Sequence, residues 1–229
     1  MDLGLKIAAS GMVAEQVREG QLSNDLANAS TPGYKSDQSP QHSFGEVLIA
    51  SSTGPAAGAV NEGVALGATH TDLTPSSIQE TGEPLDFAIQ GSGFFSVSTA
   101  QGVRYTRDGQ FTSSAQGILT DAAGNPVLDQ AGTQIKVGAG GRVPASALGV
   151  YELNGAAKQG ENLYTGTAQG KAAGAVRQGA LEGSSVDSAK VMVDMITSLR
   201  TFQSGQQAIQ AIGQTLQEAA SQVGTVPGA

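Results

Sequence analysis

Two glycine-bearing stretches come nearest to a phosphate-binding loop in this chain. Gly91-Ser92-Gly93 opens like a dinucleotide fingerprint, in which glycines let the backbone approach a pyrophosphate ahead of a helix. Ser96 stands at the third glycine position and no helical pattern follows, so a tight turn is the reading. Gly166-x-x-x-Gly170-Lys171-Ala172 imitates a nucleotide loop. It is one residue short, and Ala172 stands where a metal-binding hydroxyl is needed. His42 and His70 are the only histidines, and neither has a second ligand at metal-binding spacing. The chain has no Cys, so it has no thiol nucleophile, no disulfide and no thiolate metal site. No Gly-x-Ser-x-Gly elbow occurs. Asp108, Asp121 and Asp129 fall among turn residues, where short side chains bond the backbone locally. The expectation is a non-enzyme with no catalytic residue, no cofactor and no metal.

The elements behind these residues are of an unusual kind. Of 229 residues, 39% are apolar but only 4% aromatic, with no Trp and 32 Gly. Such a chain makes many turns and has little material for one large core. Twelve basic residues face 20 acidic ones, a net charge of −8. That balance offers no footprint for nucleic acid or an anionic membrane. No apolar run is long enough to span a bilayer. The start, Met1-Asp2-Leu3-Gly4-Leu5-Lys6, lacks the basic and apolar regions of a cleaved signal.

Three zones differ in pattern. From Leu3 to Ala29, Leu3, Ile7, Ala14 and Val17 recur at helical spacing, widened by Leu5, Ala9 and Met12. The face turns polar at Gln21, Asn24 and Asn28, and Pro32-Gly33 ends the helix. The middle begins with a Ser/Gly/Ala/Thr-rich stretch, 36–75, expected as an extended or flexible linker with a patch at Phe44, Val47, Leu48 and Ile49. Strand patterns follow at Leu85–Ile89 and Phe94–Ser98, read as a hairpin about Gly91-Ser92-Gly93. Further short strands are expected at 103–106, 109–112, 118–120, 126–128, 135–137 and 149–153, and Phe87, Ile89, Phe94, Phe95 and Val97 are the expected core of a small β domain.

The last zone is the clearest. Met192, Met195, Leu199, Phe202, Ile209, Leu216, Ala220 and Val223 sit at heptad a and d positions, interrupted at Gln206 and Gly213. Ser184-x-x-Asp187 marks the helix start. A helix from Val186 to about Ala220 would be roughly 50 Å long at 1.5 Å per residue. It needs a partner to bury its stripe. The simplest pairing joins the two terminal helices. Asn24 and Asn28 are either a polar helix end or buried amides that set register between packed helices.

Four stretches resemble one known family in its order. Asn24-Asp25-Leu26-Ala27-Asn28-Ala29-Ser30-Thr31-Pro32-Gly33-Tyr34-Lys35 is similar to the N-terminal signature of flagellar basal-body rod proteins, relatives of the hook subunit. Pro84 to Phe95 and Tyr105-Thr106-Arg107-Asp108-Gly109-Gln110-Phe111 resemble its central motif, and Gln178 to Val186 its entry to the C-terminal helix. The resemblance implies an α+β fold, with N- and C-terminal helices pairing as a coiled-coil-like unit and a small all-β domain inserted between them. It implies export through the flagellar type III apparatus, polymerisation into a helical rod outside the cytoplasmic membrane, transmission of torque and lining of the export channel. The proximal and distal rod subunits are resembled about equally. The hook subunit would need a longer chain, and the stretch after Ile135 looks compressed, short of one or two strands.

The expected divisions are 1–35 (helix and signature), 36–75 (linker), 76–183 (β-rich) and 184–229 (heptad helix and tail). The expected assembly interface is Leu3, Ile7, Met12, Asn24, Leu26, Asn28, Met192, Met195, Leu199, Phe202, Ile209 and Leu216. The expected partners are copies of the chain and other rod and hook subunits, with no nucleic acid, small-molecule substrate or membrane span. Two other classes are weighed. A secreted binding or cap module with helical arms would have ordered termini and a ligand. A cell-wall hydrolase would need a carboxylate or metal cleft.

Overall fold

The computed structural model describes residues 2–43, 46–49, 58–61, 63–138, 140–160 and 162–223; Phe44 of the expected apolar patch lies outside them. The side chains of Asp2, Leu3, Ser43, 46–49, 58–61, Gln222 and Val223 lie outside the description as well. The chain divides into two compact units, one of Met1–Leu26, Asp37–His70 and Ser188–Ala229, the other of Ala27–Ser36 and Thr71–Asp187.

The first unit holds the helices. α1 spans Asp2–Ala27. It stops where local bonds compete with the helix: the Asn28 carbonyl accepts from the Thr31 amide at 3.1 Å and the Asn28 side-chain oxygen from the Thr31 hydroxyl at 3.1 Å. α2 spans Ser188–Val223, 36 residues, about 54 Å at 1.5 Å per residue. The Ser184 hydroxyl accepts from the Val186 amide at 3.2 Å ahead of it. Part of the segment expected as linker is paired strand: Gln41–Ser43 runs antiparallel to Val64–Leu66, and Glu46–Ile49 to Gly58–Asn61. Backbone pairing satisfies this stretch, which few large apolar side chains could bury.

The second unit is β-rich. Its strands are β1 (Ile78–Glu80), β2 (Phe87–Gln90), β3 (Phe94–Thr99), β4 (Gly102–Thr106), β5 (Thr112–Ser113), β6 (Leu119–Thr120), β7 (Val127–Leu128), β8 (Val150–Lys158), β9 (Leu163–Lys171), β10 (Ala175–Gln178) and β11 (Ala180–Glu182). β3, β4, β9 and β8 pair in a closed cycle, with β7 alongside β3. β5 pairs with β6, β2 with β10 and β1 with β11.

Two expectations change here. β2 and β3 are not a hairpin: β2 pairs with β10 at Ile89 to Val176, and β3 pairs with β4 at Val97 to Arg104. Gly91 and Gly93 hold φ of 108° and 125°, and a Cβ on Gly93 would lie 2.6 Å from Ala172 and Val150, so the chain crosses between sheets where only glycine fits. After Ile135 four strands run from Val150 to Glu182, and the strand expected at 135–137 is not among them. β9 has few bulky residues and so no readable alternation, and 135–137 keeps only the isolated bridge Lys136 to Ile118.

The core cluster includes Phe87, Ile89, Phe95, Val97, Phe111, Leu119, Val127, Ile135 and Val150. Phe111 meets Phe95 edge-on at 5.3 Å. Phe94 is buried but outside this cluster. Neighbours on a strand point to opposite faces, and Phe94 turns to Tyr164, ring centroids 5.1 Å apart.

Candidate functional site

The motif residues that had no assigned chemistry make the best-built site of the β-rich unit. Glu182, at the end of β11, is 1% exposed; Lys35 is 0% and Arg107 2% exposed. Lys35 Nζ donates to Glu182 Oε1 at 2.6 Å, to the Thr74 carbonyl at 2.7 Å and to Ser76 Oγ at 3.3 Å. Arg107 Nη1 donates to Glu182 Oε2 at 3.0 Å, and the Ser76 amide to Glu182 Oε1 at 2.8 Å. The Arg107 guanidinium lies 5.1 Å from the Phe94 ring centroid, a cation–π contact. Burial pulls the Lys35 ammonium below its ordinary pKa and Arg107 adds to the pull, while the hydrogen bond and charge of Glu182 oppose it.

The signature turn is held there by more than charge. The Gly33 amide donates to the Glu182 carbonyl at 2.8 Å, the Ser185 amide to the Tyr34 carbonyl at 3.0 Å and the Ser36 amide to Ser185 Oγ at 2.8 Å. Asn162 Nδ2 donates to the Pro32 carbonyl at 2.9 Å. Lys158 Nζ lies 3.9 Å from the Tyr34 ring centroid and donates to the Lys35 carbonyl at 2.8 Å. Gly33 has φ of 65°, and a Cβ there would lie 2.4 Å from the Arg107 carbonyl. The result is structural chemistry: a shared carboxylate fixes where one turn meets one strand. Sequence reasoning recognised the motifs but not this role, because ion pairs separated by 147 positions leave no local signal.

In the helical unit, Ser198 Oγ donates to Glu15 Oε2 at 2.7 Å, a Cβ on Gly205 would lie 2.9 Å from Met12, and one on Gly4 would lie 3.8 Å from Ile212. These contacts run antiparallel. The inward stripe of α2 is Val191 and Ser198, buried, with Met195, Phe202, Gly205, Ile209 and Ile212 half-buried. The buried positions Val191 and Ser198 therefore fall one residue before the expected Met192 and Leu199. Ser198 and Gly205 leave room for α1 where bulkier residues would hold it off. Met192, Leu199 and Leu216 instead face outward, with Met192 49%, Val193 63%, Ile196 52% and Leu199 42% exposed. On α1, Ile7, Met12 and Leu26 are half-buried, Val13 and Val17 exposed, and Leu3 has no described side chain. Asn24 is exposed, and Asn28 lies past the helix end, where its side-chain oxygen accepts from the Thr31 hydroxyl.

The residues weighed for other chemistry are accounted for locally. Asp121 Oδ1 accepts from the Ala123 and Asn125 amides, Asp129 Oδ1 from those of Ala131 and Thr133, and Asp108 Oδ1 from that of Gln110. Gly166, Gly170 and Lys171 lie on an exposed strand, not before a helix. Among the described residues no group of His, Asp and Glu could hold a metal, and no helix is long and apolar enough to cross a membrane.

Comparison with known proteins agrees with the family that the four motifs resemble. Residues 88–148 match the flagellar hook protein FlgE/F/G D1 domain, and residues 177–222 the flagellar basal body rod FlgEFG protein C-terminal region. The chain is 34% identical to the flagellar basal-body rod protein FlgF of Caulobacter vibrioides, over 89% of this chain and 91% of that one. It is 30% identical to the flagellar hook-basal body complex protein FlhO of Bacillus subtilis, over 97% and 99%. It is 30% identical to the flagellar basal-body rod protein FlgG of Bacillus subtilis, over 91% and 94%. The chain belongs to the flagellar basal-body rod protein family, which places it in the flagellar basal body.

Proposed function

We propose that this chain is a structural subunit of the flagellar rod, polymerising through its terminal helices to transmit torque and line the export channel. It catalyses nothing. Residues 1–35 and 184–229 form the polymerising part, and α1 and α2 pair as a coiled-coil-like unit along the Val191, Ser198, Gly205 and Ile212 stripe. The partners are further copies and other rod and hook subunits, delivered by the flagellar type III export apparatus to a site outside the cytoplasmic membrane.

The observation that carries this reading is the outer face of α2. Met192, Val193, Ile196 and Leu199 stand out into solvent on a helix whose other face already meets α1. Bulky apolar residues gathered on one exposed helix face mark a protein interface. A contact that does not close on itself continues as a helical polymer. The rod role of the relatives supports the same partner class.

Leu199→Asp tests it. Leu199 is outward, so the variant should keep its β-rich unit and its helix pair. A charge buried at the interface between copies should abolish rods and motility when the variant replaces the native chain. Normal rods and swimming with the variant would refute the face assignment. A stable monomer that never assembles and binds an external ligand would support the cap-module alternative.

A further inference from the structure

We propose that the β-rich unit carries a recognition seat for a Pro-Gly-Tyr-Lys turn, filled in cis by Pro32–Lys35 and able to take the same turn from a second copy of the chain.

The seat is built without the turn. Arg107 and Glu182 pair with each other, and Glu182 is also held by the Ser76 amide. Thr74, whose carbonyl accepts from Lys35, is fixed by its amide and hydroxyl donating to Asp72 Oδ1 at 3.0 and 2.8 Å. The Gly183 amide donates to the Ser77 carbonyl at 2.8 Å, setting the strand that presents Glu182. The Thr106 hydroxyl donates to the Asn162 carbonyl at 3.1 Å, and Asn162 sits at φ of 62° to present its amide. None of these bonds uses residues 32–35.

The turn meets this surface as a peptide ligand meets a domain. The lysine ammonium reaches one carboxylate oxygen, one carbonyl and one hydroxyl, which uses all three of its protons. The glycine passes where any Cβ would collide with the Arg107 carbonyl. The tyrosine ring lies under the Lys158 ammonium, and the proline carbonyl accepts from Asn162. Four neighbouring residues are each read by a different group. A ligand without the lysine removes the Thr74 carbonyl's donor and leaves the buried Glu182 carboxylate with only Arg107 and the Ser76 amide, which is costly.

Lys35→Glu in the full chain separates seat from occupant. It sets a second carboxylate against Glu182 and leaves the Arg107–Glu182 pair in place. Hydrogen exchange should show the Gly33, Ser36 and Ser185 amides losing protection, with the core amides of Leu119 and Ile135 unchanged. A synthetic peptide of residues 28–36 added to the variant should restore protection at Ser185, whose amide bonds the tyrosine carbonyl. The same peptide carrying Lys35→Met should not. If Lys35→Glu fails to give soluble protein, Lys35→Ala, which removes the ammonium without adding charge, gives the same readouts. Retained protection at Gly33 and Ser185 would overturn the proposal, as would loss of the core amides together with the turn. A native peptide that leaves Ser185 exposed would overturn it too.

Discussion

Asp108 shows how one position can be set against stability. Its carboxyl is pushed up to about 6, first by burial, then by the nearby charges of Asp121 and Asp86, while the Gln110 amide pulls the other way. The unfolded carboxyl titrates near 3.8, so between that value and about 6 the folded chain holds the extra proton. Stability from this group is therefore present at low pH and falls as pH rises through the window. Asp108→Asn keeps an acceptor for the Gln110 amide and removes the charge. At neutral pH it should stabilise the chain by on the order of 1–2 kcal/mol, less than the full shift because the group is partly exposed. The gain should vanish below about pH 4. Urea midpoints of both chains across this range check it, and a gain independent of pH would refute the cause. Lys35 has a different environment: buried as deeply as any described residue, it keeps its place through an anion shared with Arg107. Removing one partner of such a group costs far more than the pair contributes.

Among the elements, the helix pair depends on how small its contact residues are. Gly205 is unfavourable in a helix by about 1 kcal/mol relative to Ala, yet it stands where Met12 packs. Gly205→Ala should be close to neutral, since the propensity gain offsets a small shift of the Met12 side chain. Gly205→Leu should cost the helical unit about 1–3 kcal/mol by overpacking. Far-UV circular dichroism melts of the two variants would separate these outcomes, and equal effects would show that Met12 does not pack there. The same contact explains what the sequence could and could not tell. Both helices, and the strands at Phe87, Phe94, Leu119 and Val127, were readable from period and turn residues. The d positions Met195, Phe202 and Ile209 were readable as well. The a positions were not, because Ser198 and Gly205 carry no hydrophobic signal and the outward Met192 and Leu199 carry a strong one. β9 was hidden for a related reason: past Leu163 and Tyr164 it carries no bulky apolar side chain and is held by backbone pairing with β8.

At the scale of the whole chain, protection should be uneven. The core of the β-rich unit is closed around Phe95 and Phe111, whereas α2 past Ile212 has exposed side chains on every face through Ser221. An isolated helix end of this kind is marginal in water. In dilute monomer, amides from Gly213 onward should exchange fastest, those of α1 and the first half of α2 more slowly, and those of Leu119 and Ile135 slowest. Concentrating the chain until it polymerises should extend protection along both helices. Helices fully protected in a monomer that stays monomeric at every concentration would refute assembly through these faces.

The closed cycle of β3, β4, β9 and β8 has a consequence for crowding. In the proposed polymer, copies held side by side would bring their sheets to high local concentration. Open strand edges would then template edge-to-edge growth and compete with the ordered contact. Here the second neighbour covers only the base of the longest pair: β9 meets β4 at Leu163 and Tyr164, β8 meets β3 at Val150 and Tyr151, and the rest of the β8–β9 hairpin runs on past the cycle. The ladder between β8 and β9 shifts register between Tyr151 and Leu153 and again between Asn154 and Ala157, and irregularities of this kind twist an edge so that it is a poor template for another copy.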